Sequence, residues 1–364
     1  MITNRRLLVL AAAFAASTAH AEDPPPAKAP PPKPVVRKIA NSVGKMAVSP
    51  DGAWVAAADW KGGGAVFSTL GADRRDLPGG SIRQLVFTPD SRFLVVFADL
   101  KDDKQKVTFL GVADGAVHEM DVTGEKPPGE HSLSPTRVWQ IVPGAQGAEV
   151  EFMRSSGLET WDASKGEQVG KGDPNFHSSS YAVTNDRKFA AYGSYGDVKV
   201  VELATGAERL KIDDPQPAKD KAKKGTMVLG FHPSICGFTT DGAYLVVRIE
   251  KEVLKDPNAL ENANMSPEKR LAAIKKTNWI EAFRTSDGKS AWKADCDERV
   301  YDDCVRPGAA VIAEIEKDAL KWRDAKTGAL KGQLVGKKAA AAAVAGDGAT
   351  FWVGLDDGTV MPAK

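Results

Sequence analysis

The residues able to do chemistry are few and scattered. Past the first 21 positions the chain carries four histidines, His118, His131, His177 and His232, and no two stand at metal-ligand spacing. None lies in a zinc-type cluster of cysteines or carboxylates. No Gly-x-Ser-x-Gly elbow occurs, so serine-hydrolase chemistry lacks its local signature. Lys61-Gly62-Gly63-Gly64 is glycine-rich, but no Lys-Ser/Thr pair or helix start comes after it, so it reads as a hairpin loop and not a phosphate cradle. Asp302-Asp303 and Asp356-Asp357-Gly358 lack the alternating acids of a calcium loop. No cofactor or metal is expected. Of eight tryptophans, Trp54, Trp139, Trp161, Trp292, Trp322 and Trp352 fit strand cores. Trp60 and Trp279 are the two candidates for stacking on a ligand.

Three cysteines, Cys236, Cys296 and Cys304, allow one disulfide and leave an odd thiol. Cys236 and Cys304 fall late in inner strands of adjacent repeat units, which favours that pair. Cys296 with Cys304 closes a shorter loop, but joins an outer strand to an inner one.

Composition bounds the rest. The chain has 364 residues, 42% hydrophobic and 27% charged, enough to bury a sizeable core. Arg5 and Arg6, an apolar run from Leu7 to Ala16 and Ala19-His20-Ala21 form the charged, apolar and small-residue parts of a secretory signal peptide over residues 1–21. The expected address is therefore periplasmic or secreted, with cleavage after Ala21. Residues 22–34 form a proline-rich linker of extended polyproline character. No later apolar run approaches the length of a transmembrane helix. Without the leader the balance is 47 basic against 48 acidic residues, which leaves no basic footprint for nucleic acid.

What organises residues 35–364 is a repeated turn. Val48-Ser49-Pro50-Asp51-Gly52 ends one strand and starts another: Pro presets φ, Asp bonds the downstream backbone and Gly accepts φ > 0. It returns as Phe87-Thr88-Pro89-Asp90-Ser91, Val183-Thr184-Asn185-Asp186-Arg187, Phe238-Thr239-Thr240-Asp241-Gly242 and Val344-Ala345-Gly346-Asp347-Gly348, with blurred copies at Pro143 to Gln146 and Arg306 to Ala309. A second mark, a glycine in a polar hairpin turn, alternates with it at Gly71, Gly115, Gly166, Gly206, Gly288 and Gly328. Successive marks stand 19 or 20 residues apart wherever nothing is inserted. One unit is thus about 40 residues and four strands, the period of a β-propeller blade. Seven first marks predict an all-β, seven-bladed β-propeller of four-stranded antiparallel blades. The last blade runs out of chain before its fourth strand. Pro34 to Ala40 should supply it, closing the ring with the N-terminal strand.

These phrases resemble divergent WD-repeat propellers, as do Trp161-Asp162 and Trp322-Arg323-Asp324. Thr285-Ser286-Asp287-Gly288-Lys289-Ser290-Ala291-Trp292 is similar to the repeat phrase of quinoprotein-type propellers. The resemblance implies the fold of residues 35–364 and hardly any function.

Four intervals exceed the baseline, around residues 100–105, 123–129, 213–225 and 251–278. Both turn marks belong to one end of the blades, so every insertion falls in a b–c or d–a loop at the other end. One-sided growth of this kind marks a binding face in repeat proteins. The longest insertion, in blade 5, predicts a rim helix: Ser266 caps, Pro267 starts it, and Lys269 to Lys276 continue it with Leu271 and Ile274 on one side. The candidate interaction face comprises Trp60, Lys221, Lys223, Lys224, Arg270, Lys275, Lys276 and Trp279.

The function expected is that of an exported, non-enzymatic, monomeric platform that binds another protein or an envelope component through the loop face. The alternative is a lactonase- or lyase-like propeller enzyme acting at the mouth of the central channel. A quinone-dependent dehydrogenase ranks third, because only blade 5 carries the phrase.

Overall fold

The computed structural model describes residues 36–363 apart from 102–103, 123–137, 155–156, 172–179, 195, 214–226, 255–265, 267, 269–271, 298–304, 309, 317–318, 337, 346 and 349. The signal-peptide and linker assignments lie outside the described residues.

Within residues 34–364 the strands form seven four-stranded antiparallel sheets, each one blade. From inner to outer strand, blade 1 is β2 (Lys45–Val48), β3 (Trp54–Ala58), β4 (Gly64–Ser68) and β5 (Arg74–Asp76). Blade 2 is β6 (Ser81–Phe87), β7 (Phe93–Asp99), β8 (Gln105–Gly111) and β9 (Val117–Asp121). Blade 3 is β10 (Val138–Pro143), β11 (Glu149–Arg154), β12 (Gly157–Asp162) and β13 (Glu167–Lys171). Blade 4 is β14 (Ser180–Val183), β15 (Phe189–Ser194), β16 (Asp197–Glu202) and β17 (Glu208–Asp213). Blade 5 is β18 (Met227–Phe238), β19 (Tyr244–Leu254), β20 (Ile274–Arg284) and β21 (Ser290–Asp295). Blade 6 is β22 (Val305–Pro307), β23 (Val311–Glu316), β24 (Ala319–Asp324) and β25 (Leu330–Val335). Blade 7 is β26 (Ala339–Val344), β27 (Phe351–Leu355) and β28 (Thr359–Ala363), completed by β1 (Arg37–Lys38) from the other end of the chain. The chain is a seven-bladed β-propeller closed by its N-terminal strand.

The repeated turn has a mechanism. In blades 1, 2, 4 and 5 a buried hydroxyl, of Ser49, Thr88, Thr184 or Thr239, donates to the carboxylate two residues on and accepts the N–H five residues on. One side chain thus closes the hairpin that its own sequence encodes. Replacing Thr239 by the isosteric valine should cost about 1–3 kcal/mol, because Asp241 and the Tyr244 N–H lose a buried partner together. Urea unfolding checks this, with Thr239→Ser expected near wild type.

Packing is spread over seven clusters, one per blade interface. Between blades 2 and 3, Phe109, Phe152 and Trp161 stack in series at 6.2 and 5.5 Å. At the periphery an outer strand grips the next blade's c–d turn. Arg75 donates to the Val112 and Ala113 carbonyls, and the Trp292 indole donates to the Ala325 carbonyl at 2.9 Å while its ring lies against Gly328. That last contact explains the blade-5 phrase: its tryptophan locks blade 5 to blade 6.

Blade 5 corrects the expectation of a helix through Lys276. Glu268 and Ala272 are helical, Lys269, Arg270 and Leu271 lie outside the described residues, and Ile274, Lys275 and Lys276 are strand, opposite Leu254, Val253 and Glu252. Part of the insertion therefore lengthens β18, β19 and β20 to 12, 11 and 11 residues. Helix propensity is worth a few tenths of a kcal/mol per residue, less than the ladder bonds and the Lys276 ion pairs with Glu250 and Glu252.

Candidate functional site

The inner strands of the blades enclose the axial channel, and each pairs only with its own b strand. Six of them line a cavity of about 380 Å³. Its lining side chains are mostly apolar, from Met46 and Leu85 to Ile235 and Phe238, with Gln84, Gln140, Tyr181 and Cys236 as the polar ones. Two of these are spent on architecture. The Gln84 amide donates to the Ile141 carbonyl at 2.6 Å and accepts the Ile141 N–H at 2.9 Å. Gln140 repeats the clasp one blade on, with the carbonyl and N–H of Tyr181 at 2.8 and 3.0 Å. Each side chain acts as a short piece of strand, satisfying an edge that the fold leaves open. The signal is a glutamine four residues ahead of the turn's first position, just after a bulge in both strands.

At the a–b end the channel opens on a second cavity of about 250 Å³, lined by Pro50, Pro89, Pro143, Asn185 and Arg187. Arg187 takes the position that Gly52 holds in blade 1, and keeps its backbone there with φ 57°. A left-handed arginine costs on the order of 1–2 kcal/mol. What offsets it is reach: the guanidinium ion-pairs with Glu151 of blade 3. Ser91, φ 62°, does likewise in blade 2, accepting the Asp51 N–H of blade 1.

At the opposite end stand the loops of the expected interaction face. Trp60, in the b–c turn of blade 1, is 58% exposed, with Lys45 Nζ 5.0 Å from its ring centroid. Trp279 differs from the expectation of a stacking residue. It is 8% exposed, packs on Phe231, donates its indole N–H to Glu281 and carries Lys293 Nζ 3.6 Å over its ring. Trp139, expected in a core, is 40% exposed. Lys275 is exposed. Lys276 bridges Glu252 and Glu250, and the hydrogen bond to Glu252 holds its ammonium above the ordinary lysine range. Lys221, Lys223, Lys224 and Arg270 lie outside the described residues.

So does Cys304, and with it the expected Cys236–Cys304 bridge. Cys236 sits in β18 and lines the channel. Cys296 carries a free thiol, half-buried, which burial and the nearby Glu314 carboxylate push up to about 12. Glu314 itself is fully buried in blade 6; one oxygen accepts from Arg323 Nε at 2.9 Å and the other has no partner among the described residues. Burial pushes this carboxyl above its ordinary value although Arg323 pulls it down. Among the described residues no group of three or more His, Cys, Asp or Glu is placed to hold a metal, and no helix is long and apolar enough to cross a membrane.

No protein-family model matches the chain. No curated protein shows significant similarity to it either.

Proposed function

We propose that this chain is an exported recognition platform, in which the rigid ring presents the b–c and d–a loops to another protein or an envelope component. The observation that carries the reading is the one-sided growth of the blades. The long connections β7–β8, β9–β10, β17–β18 and β19–β20 all leave the end opposite the turn marks, and β18, β19 and β20 lengthen toward that same end. A stiff scaffold orders little on binding, so loop contacts convert efficiently into affinity. Kinship with WD-repeat or quinoprotein-type propellers rests on the turn phrase and on the Trp292 lock. Export, a monomeric state and the absence of catalysis belong to the same reading.

The test exploits the paired ends of the insertion. Leu254 and Ile274 face each other across β19 and β20, so Asn-Gly in place of residues 255–273 closes the hairpin without disturbing either strand. The variant should melt like wild type. In-situ crosslinking and mass spectrometry should recover from wild type, with its chain beginning at Glu22, one protein that the variant loses. Equal recovery by both removes the blade-5 loop from the reading.

A further inference from the structure

Two glutamines clasp a neighbour's edge in the channel, and a third blade repeats the setting of the clasp without the side chain that makes it. The clasping residue stands four positions before the turn's first residue, just past a bulge: Gln84 after the shift between Ile82 and Gln84, Gln140 after that between Val138 and Gln140. Blade 7 has both features. Its inner strand shifts register between Ala339 and Ala341, and Ala341 stands four positions before Ala345. There the side chain is one methyl group. The other clasps run from blade 2 to blade 3 and from blade 3 to blade 4. By the same order the target of Ala341 is Met46 of blade 1, with which it shares a core cluster.

The backbone of Met46 is open toward the channel. Ser49 gives its N–H to the Trp54 carbonyl at 3.0 Å, as Gly144 gives its own to the Glu149 carbonyl at 2.9 Å. Ladder bonds alternate along an antiparallel strand. The residue three places earlier, Met46 like Ile141, therefore turns its N–H and C=O away from its partner strand. Gln84 takes both groups of Ile141. Among the described residues nothing takes those of Met46. β2 is the end strand of its sheet. Met46, Ala47 and Val48 line the cavity of about 380 Å³ together with Ala343 and Val344 of β26. An unbonded backbone pair beside mostly apolar walls favours a ligand that supplies the missing partner.

We infer that the channel beside Met46 binds a small uncharged cis-amide, the chemistry of a cyclic dipeptide. The two clasps show the complement. In each, a carboxamide accepts the N–H and donates to the C=O of one residue from a single edge, at 2.6–3.0 Å. A trans peptide group carries its N–H and C=O on opposite edges, and the cis form is costly in an open chain. A diketopiperazine ring fixes it. No charged side chain belongs to the cavity lining among the described residues, so a charged ligand would lose its hydration without gaining a partner. Apolar groups on the ring meet Leu85 and Val344. An extended chain can pair with Met46 through one of its residues, but must first be ordered. The inference goes beyond the protein-recognition reading and does not depend on it, since no protein partner is involved.

Titration calorimetry of the chain from Glu22 onward, with cyclo(Gly-Leu) as the probe, tests the site. Saturable binding is expected, with a Kd at or below about 1 mM. The N,N′-dimethyl derivative keeps the apolar body and lacks both donors, and should bind at least about tenfold more weakly. Ala341→Gln installs the clasp and should weaken binding of the parent ring by a similar factor, with the near-UV circular dichroism of wild type. No saturable heat from wild type up to about 10 mM probe overturns the inference. So does equal binding of the ring and its dimethyl derivative, which would leave apolar contact alone. Unchanged binding by a folded Ala341→Gln variant takes the site away from Met46 and overturns it too. Tighter binding of N-acetyl-leucine methylamide than of the ring overturns it in favour of an extended chain.

Discussion

A chain that begins at Gly44 should fail to hold the ring together, whereas one that begins at Val35 should fold normally. β1 is only two residues long, Arg37 and Lys38 opposite Val360 and Thr359. The closure gains most from the next few residues of the chain. Ile39 and Val43 are 3% and 0% exposed and pack with Met46, Trp352 and Val360. Their N–H groups bond the Gly358 and Leu355 carbonyls at 2.9 and 3.1 Å. Arg37 reaches further and donates to the Ser68 carbonyl at 2.9 Å. Losing two buried aliphatic side chains costs at least about 4 kcal/mol, before the uncovered β28 edge is counted. Domains commonly hold only about 5–15 kcal/mol in total. The truncated chain should therefore be unfolded or aggregated by circular dichroism and size exclusion. Ile39→Ala in the intact chain should lower stability by about 2–4 kcal/mol. Equal urea midpoints for the two starting points would remove the closure from the account of stability.

The second large effect is expected at Arg323. Arg323→Met leaves the fully buried Glu314 carboxylate without its only donor among the described residues. Breaking a buried pair on one side costs about 3–5 kcal/mol, so the variant should be strongly destabilised at pH 8. The sign of the pH dependence comes from burial. The folded-state pKa of Glu314 already lies above the ordinary 4.5, and removing the guanidinium raises it further. A raised folded pKa means that the fold prefers the neutral acid. The penalty is thus full above the folded pKa, shrinks as pH falls through it, and is gone below the unfolded value. Unfolding free energies of variant and wild type should converge toward acid. A further change, Glu314→Leu in the same chain, should restore most of the loss at pH 8, because no buried charge then remains. A destabilisation that is flat with pH would show that lost packing, and not the stranded carboxylate, is responsible.

The exposure of the candidate residues was legible only where it is decided locally. Trp60 could be picked out because it stands in a short polar loop, and a residue in such a loop has little option but exposure. Trp279 lies one residue beyond a long insertion and looks equally available. It is buried because β18, β19 and β20 all continue past the loop boundary and bring Phe231 of β18 against its ring, a fact of pairing over tens of residues. Lys276 was assigned to a helix by its neighbours in sequence and is held in a strand by Glu250 and Glu252, which precede it by 26 and 24 positions.

The blade count, the strand order and the ring closure were determined by sequence alone. They rest on turns whose Ser/Thr, Asp and Gly satisfy one another within five residues, and on a spacing that leaves room for four strands. Even residues 339–343, five consecutive alanines and so strong helix formers, read as an inner strand from the turn just after them, and they form one. Tertiary structure decided everything that depends on two blades meeting. It set which glutamines cap a neighbour's edge and why Arg187, reaching Glu151 of the neighbouring blade, tolerates a glycine's backbone. A turn is a contract between residues a few positions apart, which one sequence displays. An inter-blade contact depends on how two sheets, folded separately, are brought face to face.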